Sequence, residues 1–241
     1  MSDGIRAILF DKDGTLLDFW PSWGPIAVRA GTHAARGDAA LAERLLAVAG
    51  IGLDGRRADP DSVFAAGSAA DIARVWIAAG APGDVDSLTH ELDAIFCAAV
   101  GDVVPVGDLA AILGRLARRG YRLGIASSDG EAAIRATVER FGLEGLIDFV
   151  AGWDSGHGGK PGPGMVLAFC RAIGVAPEAV AVVGDTLHDL AMARAADAGL
   201  RVAVLTGTGT RARLAAEADV VLGSIAELEA LLVDPAAAPA P

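Results

Sequence analysis

Lysine is almost absent from this 241-residue chain: of its 20 basic residues only Lys12 and Lys160 are lysines, and the rest are arginines. Acidic residues outnumber basic ones by 31 to 20, and the net charge of -11 argues against nucleic acid or an anionic membrane as a partner. Although 53% of the residues are apolar, no uncharged apolar run reaches the roughly 18 residues of a membrane span. The opening stretch, MSDGIRAILF, lacks a basic segment followed by an apolar one, so no secretory leader is expected. Cysteine occurs twice, at Cys97 and Cys170, far apart and within apolar helical patterns. Both read as buried core thiols in a reducing cytoplasm. The excess lies in alanine and short aliphatics, which suit a soluble, helix-rich protein with ample length for one large domain or two small ones.

Against that background, the stretch AILFDKDGTLLD, Ala7 to Asp18, stands out. An apolar run stops abruptly at two aspartates one residue apart. Each carboxylate raises the pKa of the other unless positive charge intervenes. Strand alternation can turn Asp11 and Asp13 to the same side of the strand's carboxyl end. The pattern suggests a cation, phosphate chemistry, or both.

Further apolar runs read as strands: Tyr121–Ala126, Ile147–Ala151, Val180–Gly184, Val202–Thr206 and Ala218–Leu222, with Ile5–Phe10 as the first. Helical periodicity fills the gaps, so the fold class is α/β, a parallel sheet with right-handed crossovers and helices on both faces. Ligands of such sheets bind at the carboxyl ends of the strands. One interval breaks the alternation. About ninety residues between the first strand and a helix beginning near Val106 hold four helical patterns, starting at Gly24, Ala39, Ala69 and Ser87, and no strand. The expectation is a helical domain of residues 19–100 inserted above the strand ends, a core of residues 1–18 and 101–234, and a disordered tail at 235–241.

Polar signals recur at the other strand ends. Ser127-Ser128-Asp129-Gly130 follows YRLGIA, Lys160 lies in GWDSGHGGKPGP, and GDTLHD carries Asp185 and Asp189 four residues apart. DKDGT, a serine ending the second strand, KPGP and GDTLHD, in this order, resemble the four signature motifs of the haloacid dehalogenase (HAD) superfamily. The helical insert is similar to that superfamily's C1-type cap, and the chain most resembles the phosphoglycolate phosphatase-like branch.

The resemblance implies a nucleophile at Asp11, which would accept a phosphoryl group and yield it to water. It implies an acid and base at Asp13. Ser127 and Lys160 would hold the phosphate, with Gly14 letting the backbone N–H groups of the turn approach it. A Mg²⁺ ion would be held by Asp11, by the backbone carbonyl of Asp13 and by Asp185, with Asp189 acting through its waters. The substrate would be a small phosphorylated metabolite, 2-phosphoglycolate being one such ester, and the chain a monomer or homodimer in the cytoplasm.

Within the superfamily, Asp13 and the late acidic pair argue against a dehalogenase. The lysine-free insert argues against a phosphonatase of this cap type, which needs a Schiff base. A sugar-phosphate mutase, or a non-catalytic phosphate-binding protein, stays as the alternative. Trp20, Trp23, His33, Arg36, Arg29, Arg56, Arg57 and Arg74 are the insert residues available to select a substrate, the arginines by gripping a carboxylate. Ser128 stands where the superfamily often has asparagine, and Lys12 is expected to point away from Asp11 in a structural role. TGTGT, Thr206–Thr210, lacks the setting of a dinucleotide-binding fingerprint, and GHGGKP lacks the residues of a P-loop.

Overall fold

A computed structural model describes residues 4–52, 59 and 62–232. Arg56, Arg57 and the 235–241 tail lie outside the described residues. Six strands form one parallel sheet: β1 (Ala7–Phe10), β2 (Arg122–Ala126), β3 (Phe149–Ala151), β4 (Val180–Gly184), β5 (Leu200–Val204) and β6 (Val220–Leu222). Their order is β3-β2-β1-β4-β5-β6. Connections run outward on either side of the β1/β4 pair, which opens a crevice at the carboxyl ends of these two strands.

The strands are buried on both faces, which is why they are short and nearly all apolar. Strand alternation sorts β1 between two layers. Ile8 and Phe10 join the cluster containing Leu113 and Leu116 of α6 (Leu109–Arg118) and Ile134 of α7 (Glu131–Arg140). Ala7 and Leu9 join Phe169 of α8 (Gly164–Ile173) and Met192 of α9 (Leu187–Ala195). Two short helices, α10 (Arg211–Leu214) and α11 (Leu228–Leu231), complete this part.

Between β1 and α6 the described residues form five helices: α1 (Phe19–Ala34), α2 (Ala39–Val48), α3 (Val63–Ala66), α4 (Ala69–Ala78) and α5 (Val85–Ala98). The chain leaves and re-enters the sheet layer side by side. Asp18 N–H donates to the Val104 carbonyl at 2.8 Å and Val106 N–H to the Leu16 carbonyl at 3.0 Å. Apolar packing continues from the sheet through Leu17 and Phe19 into the insert, around the fully buried Trp76. Among the described residues no helix is long and apolar enough to cross a membrane.

Several boundaries differ from the sequence expectation: β1, β3 and β6 each begin two residues later, at Ala7, Phe149 and Val220, β2 begins one later, at Arg122, and three further ones have a local cause. Helix α1 begins at Phe19, ahead of Gly24, because Pro21 falls in the first turn, where a missing N–H costs nothing. Ser22 Oγ also bonds the Asp18 carbonyl there at 2.6 Å. Helix α6 begins at Leu109, not near Val106, because the Asp108 carboxylate caps it through Ala111 N–H. Strand β5 runs from Leu200 to Val204 and not from Val202 to Thr206. A turn with Asp197 at φ +55°, and Gly199 N–H on the Pro177 carbonyl, delivers the chain to β4 two residues earlier.

Candidate active site

Asp11, Asp13, Ser127, Lys160, Asp185 and Asp189 all line one pocket over the carboxyl ends of β1, β2 and β4. Asp11 directly follows β1, and its N–H donates to the Val183 carbonyl at 2.8 Å, which continues the ladder to β4. Its carboxylate meets Lys160 Nζ at 2.5 Å. The same ammonium reaches Asp189 Oδ1 at 2.6 Å. Asp189 is fixed from the other side by the capping box of α9, where its Oδ2 accepts from Thr186 N–H at 3.0 Å and from the Thr186 hydroxyl at 2.7 Å.

Asp185 ends the β4 turn with one carboxylate oxygen on Thr208 N–H at 2.9 Å. The other oxygen, Oδ1, is buried and has no partner. Carboxylate oxygens of Asp11, Asp185 and Asp189 lie within 4.8 Å of one another. Burial raises the Asp11 carboxyl to about 7, with Lys160 opposing and Asp189 and Asp13 adding to the rise. Burial also raises Asp185 well above its usual range, and repulsion from Asp11 and Asp189 adds to it. Burial pulls the Lys160 ammonium down, but Asp11 and Asp189 more than offset this and hold it above its ordinary value. Three crowded hard-oxygen donors, one with an open buried lone pair, fit a divalent cation.

The turn after β1 is built for close approach. Gly14 has φ +84°, and a Cβ there would lie 2.5 Å from the Asp185 carboxyl group. Its carbonyl accepts from the Thr206 hydroxyl at 2.7 Å. Ser127, buried at the end of β2, accepts from Asp129 N–H at 3.1 Å and still has its own O–H to donate.

Asp13 turns away from this cluster. Its Oδ1 accepts from Lys12 Nζ at 2.8 Å and from Trp23 Nε1 at 2.7 Å. Lys12 is buried and also bridges to Asp129 at 3.1 Å. Burial pulls its ammonium down, yet Asp13 and Asp129 together hold it above its ordinary value. The two aspartates of the opening motif, with Lys12 between them in sequence, therefore sit on separate buried ammonium groups, one on each of the chain's two lysines.

The family described as haloacid dehalogenase-like hydrolase matches residues 5–197. The chain belongs to this family. It is 38% identical over 96 residues to a phosphoglycolate phosphatase of Rhodospirillum rubrum, a match covering 40% of this chain and 39% of that protein's length. It is 27% identical over 204 residues to a phosphoglycolate phosphatase of Escherichia coli O157:H7, covering 80% of this chain and 79% of the other. Among solved structures, CbbY from Rhodobacter sphaeroides in complex with phosphate superposes with a TM-score of 0.71 at 21% identity, covering 93% and 96% of the two chains. That likeness is one of fold.

In this haloacid dehalogenase-like hydrolase the structure also gives Asp13 partners that the motif pattern does not pair with it. Lys12 and Asp129 join Asp13, and Trp23 reaches it from α1. The TGTGT loop packs on Asp185, where a Cβ at Gly207 would come 1.7 Å from Oδ2, so only glycine leaves room for that carboxylate. A signal for this loop was present in the two glycines spaced by threonine. Of the insert candidates, only Trp23 lines the pocket among the described residues. His33 and Arg36 pair with Glu91, Arg29 with Asp102 and Arg74 with Asp71, while Trp20 packs edge-on against Phe19.

Proposed function

We propose that this hydrolase is a Mg²⁺-dependent phosphatase that cleaves a small phosphate monoester through a phosphoryl group carried on Asp11. One observation carries the reading: a buried carboxylate at the end of the central strand, bonded to Lys160 and crowded by Asp185 and Asp189. Asp11 and Asp185 would hold the metal, with the Asp13 carbonyl and, through water, Asp189 completing the set implied by the resemblance. When bound, Mg²⁺ supplies positive charge that keeps these carboxylates ionised and offsets that of the phosphate.

In the first step an Asp11 oxygen attacks phosphorus, the bond to the leaving oxygen breaks, and Asp13 gives that oxygen its proton. In the second, water attacks the same phosphorus, Asp13 takes up a proton from it, and the bond to Asp11 breaks. Lys160 neutralises both Asp11 and the incoming phosphate, and the Ser127 hydroxyl donates to a phosphate oxygen. Lys12 and Trp23 fix the Asp13 carboxylate beside the leaving group.

Residues 19–100 are read as a cap that opens and closes over a core of 1–18 and 101–234, supported by the paired linkers at Leu16–Asp18 and Val104–Val106. 2-Phosphoglycolate is one candidate ester, since it stands in the names of the Rhodospirillum and Escherichia relatives. Residence in a reducing cytoplasm, as a monomer or homodimer, belongs to the same reading, and the free thiols of Cys97 and Cys170 support its redox part. The test is release of inorganic phosphate from small monoesters. Turnover is expected with Mg²⁺, lost in excess chelator and restored when Mg²⁺ returns. Full turnover in chelator would remove the metal from this reading.

A further inference from the structure

On the Asp13 side of the pocket lies a second cluster of buried charge. Asp13 and Asp129 both line the pocket, and the ammonium of Lys12, a residue only 1% exposed, joins them. It meets both oxygens of Asp13, at 2.8 and 2.7 Å, and Asp129 Oδ2 at 3.1 Å. The Trp23 indole closes a further side, with its ring centre 5.5 Å from Lys12 Nζ, and packs edge to face on Phe96 and Phe64 in the roof of the pocket. Asp129 is pinned in its own turn. Its N–H donates to the Ser127 hydroxyl at 3.1 Å, and its carbonyl accepts from Trp153 N–H at 3.1 Å. Its Oδ1 accepts from Gly130 N–H at 3.0 Å, which leaves Oδ2 for Lys12. A Cβ at Gly152 would come 2.6 Å from the Asp129 carbonyl oxygen, so the chain after β3 packs closely on this turn.

An ion pair that served only the core would need one carboxylate for its ammonium. A second one buried beside the first repels it and costs stability. The lysine stem is long and flexible, so Lys12 by itself would let the Asp13 carboxylate swing with it. With its ammonium also tied to the pinned Asp129, that freedom is gone. Asp13 has one other holder, the Trp23 indole at 2.7 Å, and this comes from the helical insert. Lys12 and Asp129 come from the ends of β1 and β2, the same sheet that carries Asp11. A group that passes a proton to a leaving oxygen has to be held closely, since a misplacement of about 1 Å can cost about 10²-fold in rate.

Resting on the phosphatase reading above, we infer that Asp129 is a positioning residue of the acid–base step, acting through Lys12 to hold the Asp13 carboxylate beside the leaving oxygen. It touches neither the phosphate nor the metal. Its loss therefore harms the transfer of a proton and spares the attack of Asp11 on phosphorus.

The test is Asp129→Asn in the full chain with Mg²⁺, which keeps the side chain's volume and an acceptor for Gly130 and removes the charge facing Lys12. Two esters are compared: benzyl phosphate, whose alkoxide needs a proton as it leaves, and para-nitrophenyl phosphate, whose phenolate hardly does. For benzyl phosphate kcat/KM, which reads the first step, is expected to fall about 10- to 100-fold. For para-nitrophenyl phosphate the fall is expected to be smaller by about tenfold or more. In a chain that already carries Asp13→Asn, adding Asp129→Asn should cost nothing further on benzyl phosphate, because the group it positions is gone. Lys12→Met combined with Asp129→Asn removes the whole link and should show the same selective loss. An equal loss on both esters, a loss that adds to that of Asp13→Asn, or no loss would overturn the inference and leave the phosphatase reading standing. Failure of both variants to fold would do the same, by making the link a structural one. Release of phosphate from neither ester by the unmodified chain, with no mass increase on the intact protein after exposure to acetyl phosphate, would overturn both.

Discussion

Asp11 and Asp13 are one residue apart, yet Lys160 holds the first and Lys12 with Trp23 the second. The two substitutions to asparagine should therefore fail differently. On the proposed mechanism Asp11→Asn removes the acceptor, so no covalent intermediate forms and turnover falls to background. Asp13→Asn keeps the acceptor and loses proton transfer, which is worth about 10²–10⁴-fold in rate. With an activated aryl phosphate the first step needs little acid help and the second still needs a base. Asp13→Asn is then expected to accumulate an added phosphoryl mass on the intact protein, and Asp11→Asn never to do so. Phosphorylation of Asp11→Asn would mean that the nucleophile has been misassigned. Much of this was legible in the sequence at the residue scale. Asp11, Ser127 and Asp185 each stand where an apolar run stops, and a polar residue at a strand end is visible without coordinates. That Lys12 points away from Asp11 was legible too, from alternation along the motif, but the partners it takes were not. Its use depends on Asp129 returning from the end of β2, a contact that no local pattern encodes.

At the scale of elements, the sheet was legible because strands buried on both faces leave uninterrupted apolar runs. The short α3 was not, since four residues span hardly one helical turn and give no periodicity to read. Contacts between elements were equally hidden. Asp93 on α5 meets Trp153 Nε1, from the loop after β3, at 3.4 Å, and Ser128 Oγ donates to the Ala66 carbonyl of α3 at 3.0 Å. Burial raises Asp93 to about 6, with the Trp153 bond opposing and Asp129 and Asp154 adding to the rise. A folded-state pKa above the unfolded value of 3.8 means that the folded chain holds this proton more tightly. Stability from this group is therefore full below about pH 4, declines as pH rises toward about 6, and stays at its reduced level above that. Asp93→Asn keeps an acceptor for Trp153 and removes the charge. Its melting temperature should match that of the parent near pH 4 and exceed it near pH 7. A gain of about 2–4 °C corresponds to the roughly 1 kcal/mol left after solvent screening of a half-buried group. Thermal unfolding across this pH range checks it, and a constant offset would show that ionisation of Asp93 is not the cause.

For the whole molecule, the proposed cap predicts a motion, with the pocket wall of Trp23, Phe64 and Phe96 and the paired linkers in its support. On the proposed phosphatase reading, substrate enters beneath the Trp23–Phe64–Phe96 wall and water is excluded while the ester is cleaved. With Mg²⁺ and a metal fluoride standing in for the phosphoryl group, the radius of gyration from solution scattering should fall relative to the free chain. An unchanged profile at saturating fluoride would argue for a fixed, open site. The pairing of each lysine with the site has a consequence for chemistry done on the protein from outside. Apart from its terminal amine, the chain has two primary amines, and their side chains are 2% and 3% exposed. To an acylating or cross-linking reagent the folded surface is therefore nearly blank, for all its arginines. Any lysine adduct on this protein marks either a reagent that has entered beneath the roof or a chain that has come unfolded, and a bound phosphate mimic separates the two by shielding only the first.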